Sequence, residues 1–346
     1  MPKVTVLMPV YNAEFYIKEA VDSILKQTFD DFEFLIFNDG STDSSADIVR
    51  SYNDQRITFF DSKQNKGYVH YLNYGIEIAK GEYIARMDAD DISHPMRLKK
   101  QVDFMDRNPE IGVCGTWFRI IGSNYTVKHP TDDTKIRLSL LKDSAIGHPT
   151  VILKTDLLRK HGLQYDASFV PAEDYLFWVN LSQYCKLANL PEVLLQYRVH
   201  QHQISRDRRD EQNEKAQLVR NYQIEKLLNR HLTNEESIYN SLLFQRKINI
   251  NDDLFPVIRE WINKLITINL LNKIYPRQKF TNLLNQQLNN SYQSYYLSKK
   301  NIGKFYSLRI LKDFWVSKNC HFSYFSNMQK IVFSIKCLIK YPNHQL

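Results

Sequence analysis

From Val4 to Asp91 the chain alternates short apolar runs with stripes of helical period, and this alternation restricts the folds open to it more than any other feature. Val4–Met8 is a compact apolar run ended by Pro9. Ile17, Ala20, Val21, Ile24 and Leu25 then recur at i, i+3, i+4, i+7 and i+8, the single core-facing stripe of an amphipathic helix. Phe32–Phe37 is a second apolar run, closed by Asn38-Asp39-Gly40, after which Ser41, Thr42 and Asp43 offer N-cap oxygens to a helix. Arg56–Phe60 reads as a third strand and Tyr71–Ala79 as a third helix, stopped by Gly81. Glu82–Met87 reads as a fourth strand and runs into Asp88-Ala89-Asp90-Asp91. Strand and helix in this rhythm predict βαβ units, an α/β fold with a mainly parallel sheet flanked by helices.

In an open sheet of this kind ligands bind beyond the carboxyl ends of the strands. Three polar clusters fall there: Pro9–Asn12, Asp39 and Asp88–Asp91. The sheet gathers its strand ends, so these distant positions are expected to share one cleft. Three carboxylates within four residues repel one another unless a cation neutralises them, and hard Mg²⁺ or Mn²⁺ prefers oxygen ligands and bridges carboxylates to phosphates. The structural alternative is a solvated acidic turn that caps the next helix. Asp39 can accept hydrogen bonds from a ribose or a base, or it is simply a turn residue beside Gly40. No G-x-G-x-x-G follows the first strand and no G-x-x-x-x-G-K-[ST] occurs, so a bound diphosphate would be held by metal and basic side chains.

Two further segments carry ionisable groups. Glu173-Asp174 precedes an apolar helical stretch, where acidic residues complement the helix dipole or, functionally, one acts as a general base. Tyr197-Arg198-Val199-His200-Gln201-His202 places two imidazoles at i and i+2 in a polar stretch. That spacing adds only slightly to the case for a metal ligand.

Together these pieces resemble the family-2 glycosyltransferases, inverting enzymes with the Rossmann-like GT-A fold. The resemblance rests on Val4–Asn12, Phe37–Asp43, Asn65-Lys-Gly67 with Asn73-Tyr-Gly75, and Ala79–Asp91. Pro95, Arg97-Leu98, Gln101, His148-Pro149, Glu173-Asp174 and Tyr197–His200 continue it, over about residues 3–205. It implies that Pro9 and Tyr11 line the nucleoside pocket, that Asp39 binds the uracil or ribose, and that Asp88 and Arg86 belong to the donor site. Asp90 and His200 would hold Mn²⁺ or Mg²⁺ on the diphosphate. Asp174 would be the catalytic base, supported by Glu173. The chain has Leu72 where many relatives have an arginine before the asparagine at Asn73. A UDP-sugar donor and a glycan or lipid-linked acceptor follow from the likeness. Low Gly and Pro with abundant Asn and Lys suit an AT-rich bacterial genome and point to lipooligosaccharide, capsule or other surface polysaccharide synthesis. A dehydrogenase or nucleotidyltransferase on a similar sheet leaves Glu173-Asp174 unexplained. A non-catalytic nucleotide-sugar-binding module that kept the fold is the other alternative.

Charge divides the chain. The net charge is +8, yet residues 241–346 hold 16 Lys and Arg against 4 Asp and Glu. The expected organisation is a catalytic domain over 1–215 and a basic, mostly helical region over 216–346, with Pro256 and Pro276 near helix boundaries. In 328–341, Ile331, Ile335, Leu338 and Ile339 form an apolar stripe framed by Lys330, Lys336 and Lys340. This pattern suits either an interfacial helix on anionic inner-leaflet lipid or a helix docked on protein. No nucleic-acid motif accompanies the basic charge, so no nucleic-acid partner is expected. The N-terminus reads as a strand, no long uncharged apolar run is present, and Cys114, Cys185, Cys320 and Cys337 are scattered. These features read as a cytosolic chain in a reducing compartment.

Overall fold

A computed structural model of the chain describes residues 1–200, 208–244 and 254–296. It divides into two compact units, Met1–Arg220 and Asn221–Leu346. Unit 1 opens with β1 (Val4–Val10), α1 (Ile17–Leu25), β2 (Phe32–Asp39), α2 (Ser45–Arg50), β3 (Ile57–Ser62), α3 (Tyr68–Ile78) and β4 (Tyr83–Arg86). It continues with β5 (Ile92–Ser93), α4 (Arg97–Arg107), β6 (Ile111–Ile120), β7 (Thr126–Val127), α5 (Asp133–Leu140), β8 (Ile152–Lys154), α6 (Thr155–Lys160), α7 (Glu173–Leu181) and β9 (Lys186–Tyr197).

The sheet has the order β3-β2-β1-β4-β8-β6-β9-β5, with β7 paired to β6. Strands β3, β2, β1 and β4 are mutually parallel, β8 is antiparallel to β4 and to β6, and β6 is parallel to β9. The expected mainly parallel α/β sheet is therefore present. Strands β1, β2 and β4 are buried on both faces, as the inner strands of a parallel sheet are, while β3 at the edge is partly exposed. Val4, Val6 and Met8 of β1 meet Ile17, Ala20, Val21 and Ile24 of α1 on one face. On the other face α3 lies so close that a Cβ at Gly75 would stand 2.8 Å from the Leu7 Cδ atoms.

Two features position the cleft. Strand β1 continues through Pro9, where the sequence pattern ends it. It pairs with β4 only as far as Leu7, opposite Arg86, while its pairing with β2 runs on to Val10. Pro9 therefore lies where β1 has lost a neighbour, and a residue with no N–H is tolerated at such an edge. Next, β5 follows β4 by only a few residues but pairs with β9 at the far edge, Ile92 opposite Gln196. The Asp88–Asp91 turn is thus stretched across the end of the sheet and meets the residues that leave β9.

Unit 2 is helical among its described residues. α8 (Arg209–Leu228) crosses the boundary between the units, and α9 (Asn234–Phe244), α10 (Leu254–Asn272) and α11 (Arg277–Tyr296) follow. Pro256 occupies the first turn of α10 and Pro276 immediately precedes α11, positions where a missing N–H costs least. Glu236 in the first turn of α9 is buried and accepts from Arg230 at 2.7 and 2.6 Å and from Lys264 of α10 at 2.7 Å. These bonds, Arg230's foremost, bring its carboxyl down to about 2. No described helix is long and apolar enough to cross a membrane. The lysine-framed stripe of 328–341 lies outside the described residues.

Gly81 joins α3 to β4 against the backbone of β1. A Cβ there would stand 2.4 Å from Thr5 N and 2.6 Å from Val4 C. Backbone cannot swing aside as a flexible side chain can, so Gly81→Ala is expected to lower stability by about 1–3 kcal/mol. Urea unfolding measures this; an unchanged midpoint would contradict it.

Candidate active site

The acidic turn is built on a buried cation. Arg97, the first residue of α4, is fully buried, and its Nη2 donates to the carbonyls of Arg86 at 2.7 Å and Val151 at 3.2 Å. Its Nε donates to Gln101 Oε1 at 3.1 Å, while the Gln101 amide donates to the carbonyls of Cys114 and Thr150 at 2.7 and 2.8 Å. The end of β4 is thereby tied to β6 and to the segment before β8.

From that anchored point the carboxylates converge. One oxygen of each of Asp88, Asp90 and Asp91 lies within 4.8 Å of the others. Arg86 is buried and grips Asp88 with both terminal nitrogens, Nη1 at 2.5 Å from Oδ2. Asp91 is fully buried; its Oδ1 accepts the Arg198 backbone N–H at 2.8 Å and its Oδ2 has no hydrogen-bond partner among the described residues. Burial, together with the neighbouring carboxylates, pushes Asp88 up to about 6 and Asp91 well above the ordinary range. His200, beyond β9, places Nε2 2.9 Å from Asp90 Oδ2. The two residues expected to share a metal are therefore adjacent across 110 positions of sequence. The oxygens of Asp88, Asp90 and Asp91, with the His200 imidazole against Asp90, are ligand types that Mn²⁺ or Mg²⁺ accepts. Asp91 is turned inward.

The ends of β1 and β2 carry the residues expected to meet a nucleoside. Pro9 is half-buried and Tyr11 is 52% exposed. Asp39 is buried, and its two oxygens accept from Lys66 N at 2.6 Å and Gly67 N at 3.0 Å. Burial raises its pKa while these two amides oppose the rise. Asp39 thus braces the Asn65–Gly67 loop, whose Gly67 adopts φ +84° as it enters α3. Leu72 lies in the core at 1% exposure, so the apolar residue at that position packs within the fold.

Glu173 and Asp174 occupy the first turn of α7. Asp174 Oδ1 accepts the Tyr175 N–H at 2.7 Å, and Ser144 Oγ donates to Oδ2 at 3.5 Å. Glu173 is buried against the Tyr68 phenol, and its Oε2 has no partner among the described residues. Burial and the Glu173 charge push Asp174 up to about 7. Arg86 lies within electrostatic reach of both members of the pair as well as of Asp88 and Asp91. The cleft therefore joins an acidic turn, a carboxylate of near-neutral pKa and one central guanidinium.

Periodicity did not single out Tyr68, which meets Glu173, Ser144, which meets Asp174, or Tyr165, which lies within electrostatic reach of Arg86. Tyr165 bonds His148 Nε2 at 3.0 Å and stacks on Phe177, and Asn73 holds its backbone at 2.8 and 2.9 Å. Tyr68 directly follows the Asn65-Lys-Gly67 signature, which was its only signal. Because Asp174 holds its proton more tightly when folded, its ionisation costs stability as pH rises from about 4 through about 7. Asp174→Asn removes that cost, so its melting temperature relative to wild type is expected to be higher at pH 8 than at pH 4.5. An equal difference at both pH values would contradict the shift.

Residues 5–161 match the family described as glycosyl transferase family 2. An uncharacterized glycosyltransferase of Haemophilus influenzae is 36% identical over 243 residues, covering 66% of this chain and 75% of its own. The Escherichia coli UDP-Glc:alpha-D-GlcNAc-diphosphoundecaprenol beta-1,3-glucosyltransferase WfgD is 32% identical over 205 residues, 58% of this chain and 79% of its own. Among solved structures, S. aureus TarS 1–349 in complex with UDP-GlcNAc superposes with a TM-score of 0.59 at 20% identity, over 85% of this chain and 92% of that one. With the sheet and the converging strand ends in place, these matches show that the chain belongs to glycosyl transferase family 2 and carries its GT-A-type fold.

Proposed function

We propose that residues 1–215 form the catalytic domain of an inverting hexosyltransferase, which moves a sugar from a UDP-sugar to a hydroxyl of a glycan or lipid-linked acceptor in bacterial surface polysaccharide synthesis. The observation that carries this reading is the placement of Asp174, a carboxylate with a pKa of about 7, across Arg86 from the Asp88–Asp90 turn. A general base is most effective when its pKa lies near the working pH. The donor's nucleoside is assigned to Pro9, Tyr11 and Asp39, and its ribose and diphosphate to Asp88, Arg86 and the Asp90–His200 pair. UDP-GlcNAc in the TarS complex and UDP-Glc in the name of WfgD support a UDP donor, and the latter's diphosphoundecaprenol supports a lipid-linked acceptor. Residues 216–346, with their basic charge, are the proposed region of acceptor or membrane contact.

In this reading Asp174 takes the proton from the acceptor hydroxyl as its oxygen attacks the anomeric carbon. The bond from that carbon to the diphosphate oxygen breaks, and the electron pair leaves with the nucleoside diphosphate. A single in-line displacement inverts the anomeric configuration. The Tyr175 N–H and Ser144 orient the base, burial and the Glu173 charge keep its pKa high, and Arg86 tempers the negative charge around it. A divalent cation on Asp90 and His200 would stabilise the charge that develops on the departing diphosphate.

A panel of nucleotide sugars with Mn²⁺, scored for nucleoside diphosphate release, tests this. One donor is expected to be hydrolysed slowly by wild type and not by Asp90→Ala. Asp174→Asn should lose about 10²–10⁴-fold in transfer rate with little change in donor affinity. Below the pKa of Asp174 the base is protonated, so kcat/KM should rise with pH through about 7 and then level off. No release from any donor, with no metal-dependent UDP binding, would favour a non-catalytic module.

A further inference from the structure

We propose that Tyr16 is a positioning residue whose ring is the platform that holds His200 against Asp90. The inference rests on the reading of Asp90 and His200 as the metal-holding pair. Tyr16 stands immediately before α1, where its N–H donates to Ala13 O at 2.8 Å and its carbonyl accepts from Ala20 N at 3.1 Å. Its ring lies against the His200 imidazole, with centroids 5.0 Å apart and planes 29° from parallel. The same ring receives the Arg198 guanidinium at 4.8 Å. Arg198 and His200, both just beyond β9, therefore meet the same ring.

The remaining bonds of Arg198 show what this contact joins. Its Nη2 pairs with Glu19 of α1 at 2.5 Å, its Nε donates to Asp90 O at 2.8 Å, and its backbone N–H donates to Asp91 Oδ1 at 2.8 Å. Helix α1, the acidic turn and the β9 exit are thereby locked at one point. An imidazole alone is poorly fixed, because rotation of its ring about χ2 is broad. The hydrogen bond to Asp90 selects which ring edge faces the acidic turn, and the stack on Tyr16 selects the plane. Together they aim Nε2. The device is steric and electrostatic.

The test is Mn²⁺ binding by the full-length protein with UDP present, read from the EPR signal of free Mn²⁺. The variants are Tyr16→Leu, Tyr16→Phe, His200→Ala and the Tyr16→Leu/His200→Ala double. Tyr16→Leu should weaken Mn²⁺ binding by about three- to tenfold, the range of one lost stack. Tyr16→Phe keeps a ring and should bind like wild type. In the His200→Ala background Tyr16→Leu should cause no further loss, because the platform acts through the imidazole. If Tyr16→Leu does not fold, Tyr16→Met keeps bulk without a ring and replaces it. Wild-type binding by the ringless variant, or a full additional loss on top of His200→Ala, would overturn the platform while leaving the metal assignment intact. Unchanged binding in His200→Ala would overturn the assignment of His200 and the platform with it.

Discussion

The buried guanidinium of Arg97 is the contact on which the cleft depends. Removing a cation from water is expensive, and this one is repaid by carbonyl, amide and sulfur acceptors, with Met87 Sδ at 3.5 Å completing the set. Burial lowers its pKa to about 9, which still leaves it charged at neutral pH. It therefore fixes the end of β4 sterically and sets a positive charge beneath Asp88 and Asp91. Without that charge, three neighbouring carboxylates at the end of a buried strand would be hard to keep in one place.

Arg86 extends the same balance to the second half of the cleft. Asp88, Asp91, Glu173 and Asp174 all lie within its reach, so Arg86 and Arg97 together face more acids than they can neutralise. Burial first, and the neighbouring carboxylates second, account for the upward shifts of Asp88 and Asp174, and the crowding of acids favours a further cation there. Asp39 belongs to a different arrangement. Its carboxylate is occupied by two backbone amides, so whatever it offers a nucleoside comes from its remaining lone pairs and from the loop it braces.

Much of unit 1 was legible because its strands and helices carry strong local periods. The stripe from Ile17 to Leu25 became α1 with the same limits, since an amphipathic face needs only a sheet to pack on. Pro9 misled the strand boundary, because an edge in a sheet depends on where a neighbouring strand departs. Asp88–Asp91 and Glu173-Asp174 stood out as local acidic clusters, and Tyr197–His200 through the family resemblance. Tyr165 and Ser144 did not, because an isolated tyrosine or serine in a loop has no periodicity and no charged neighbour to mark it.

The sequence by itself determined the α/β class, the family and the short segments that carry chemistry, because hydrophobic period, turn residues and clustered charge are written over a few consecutive positions. Only the tertiary structure decided which of those segments meet. The pairing of β5 with β9 carries the acidic turn to the β9 exit, placing Asp90 beside His200 and Tyr16 beneath its ring. The crossing of Arg86 between Asp88 and the α7 carboxylates likewise joins the two halves of the cleft. Such contacts depend on strand order and burial, which no local window of sequence contains.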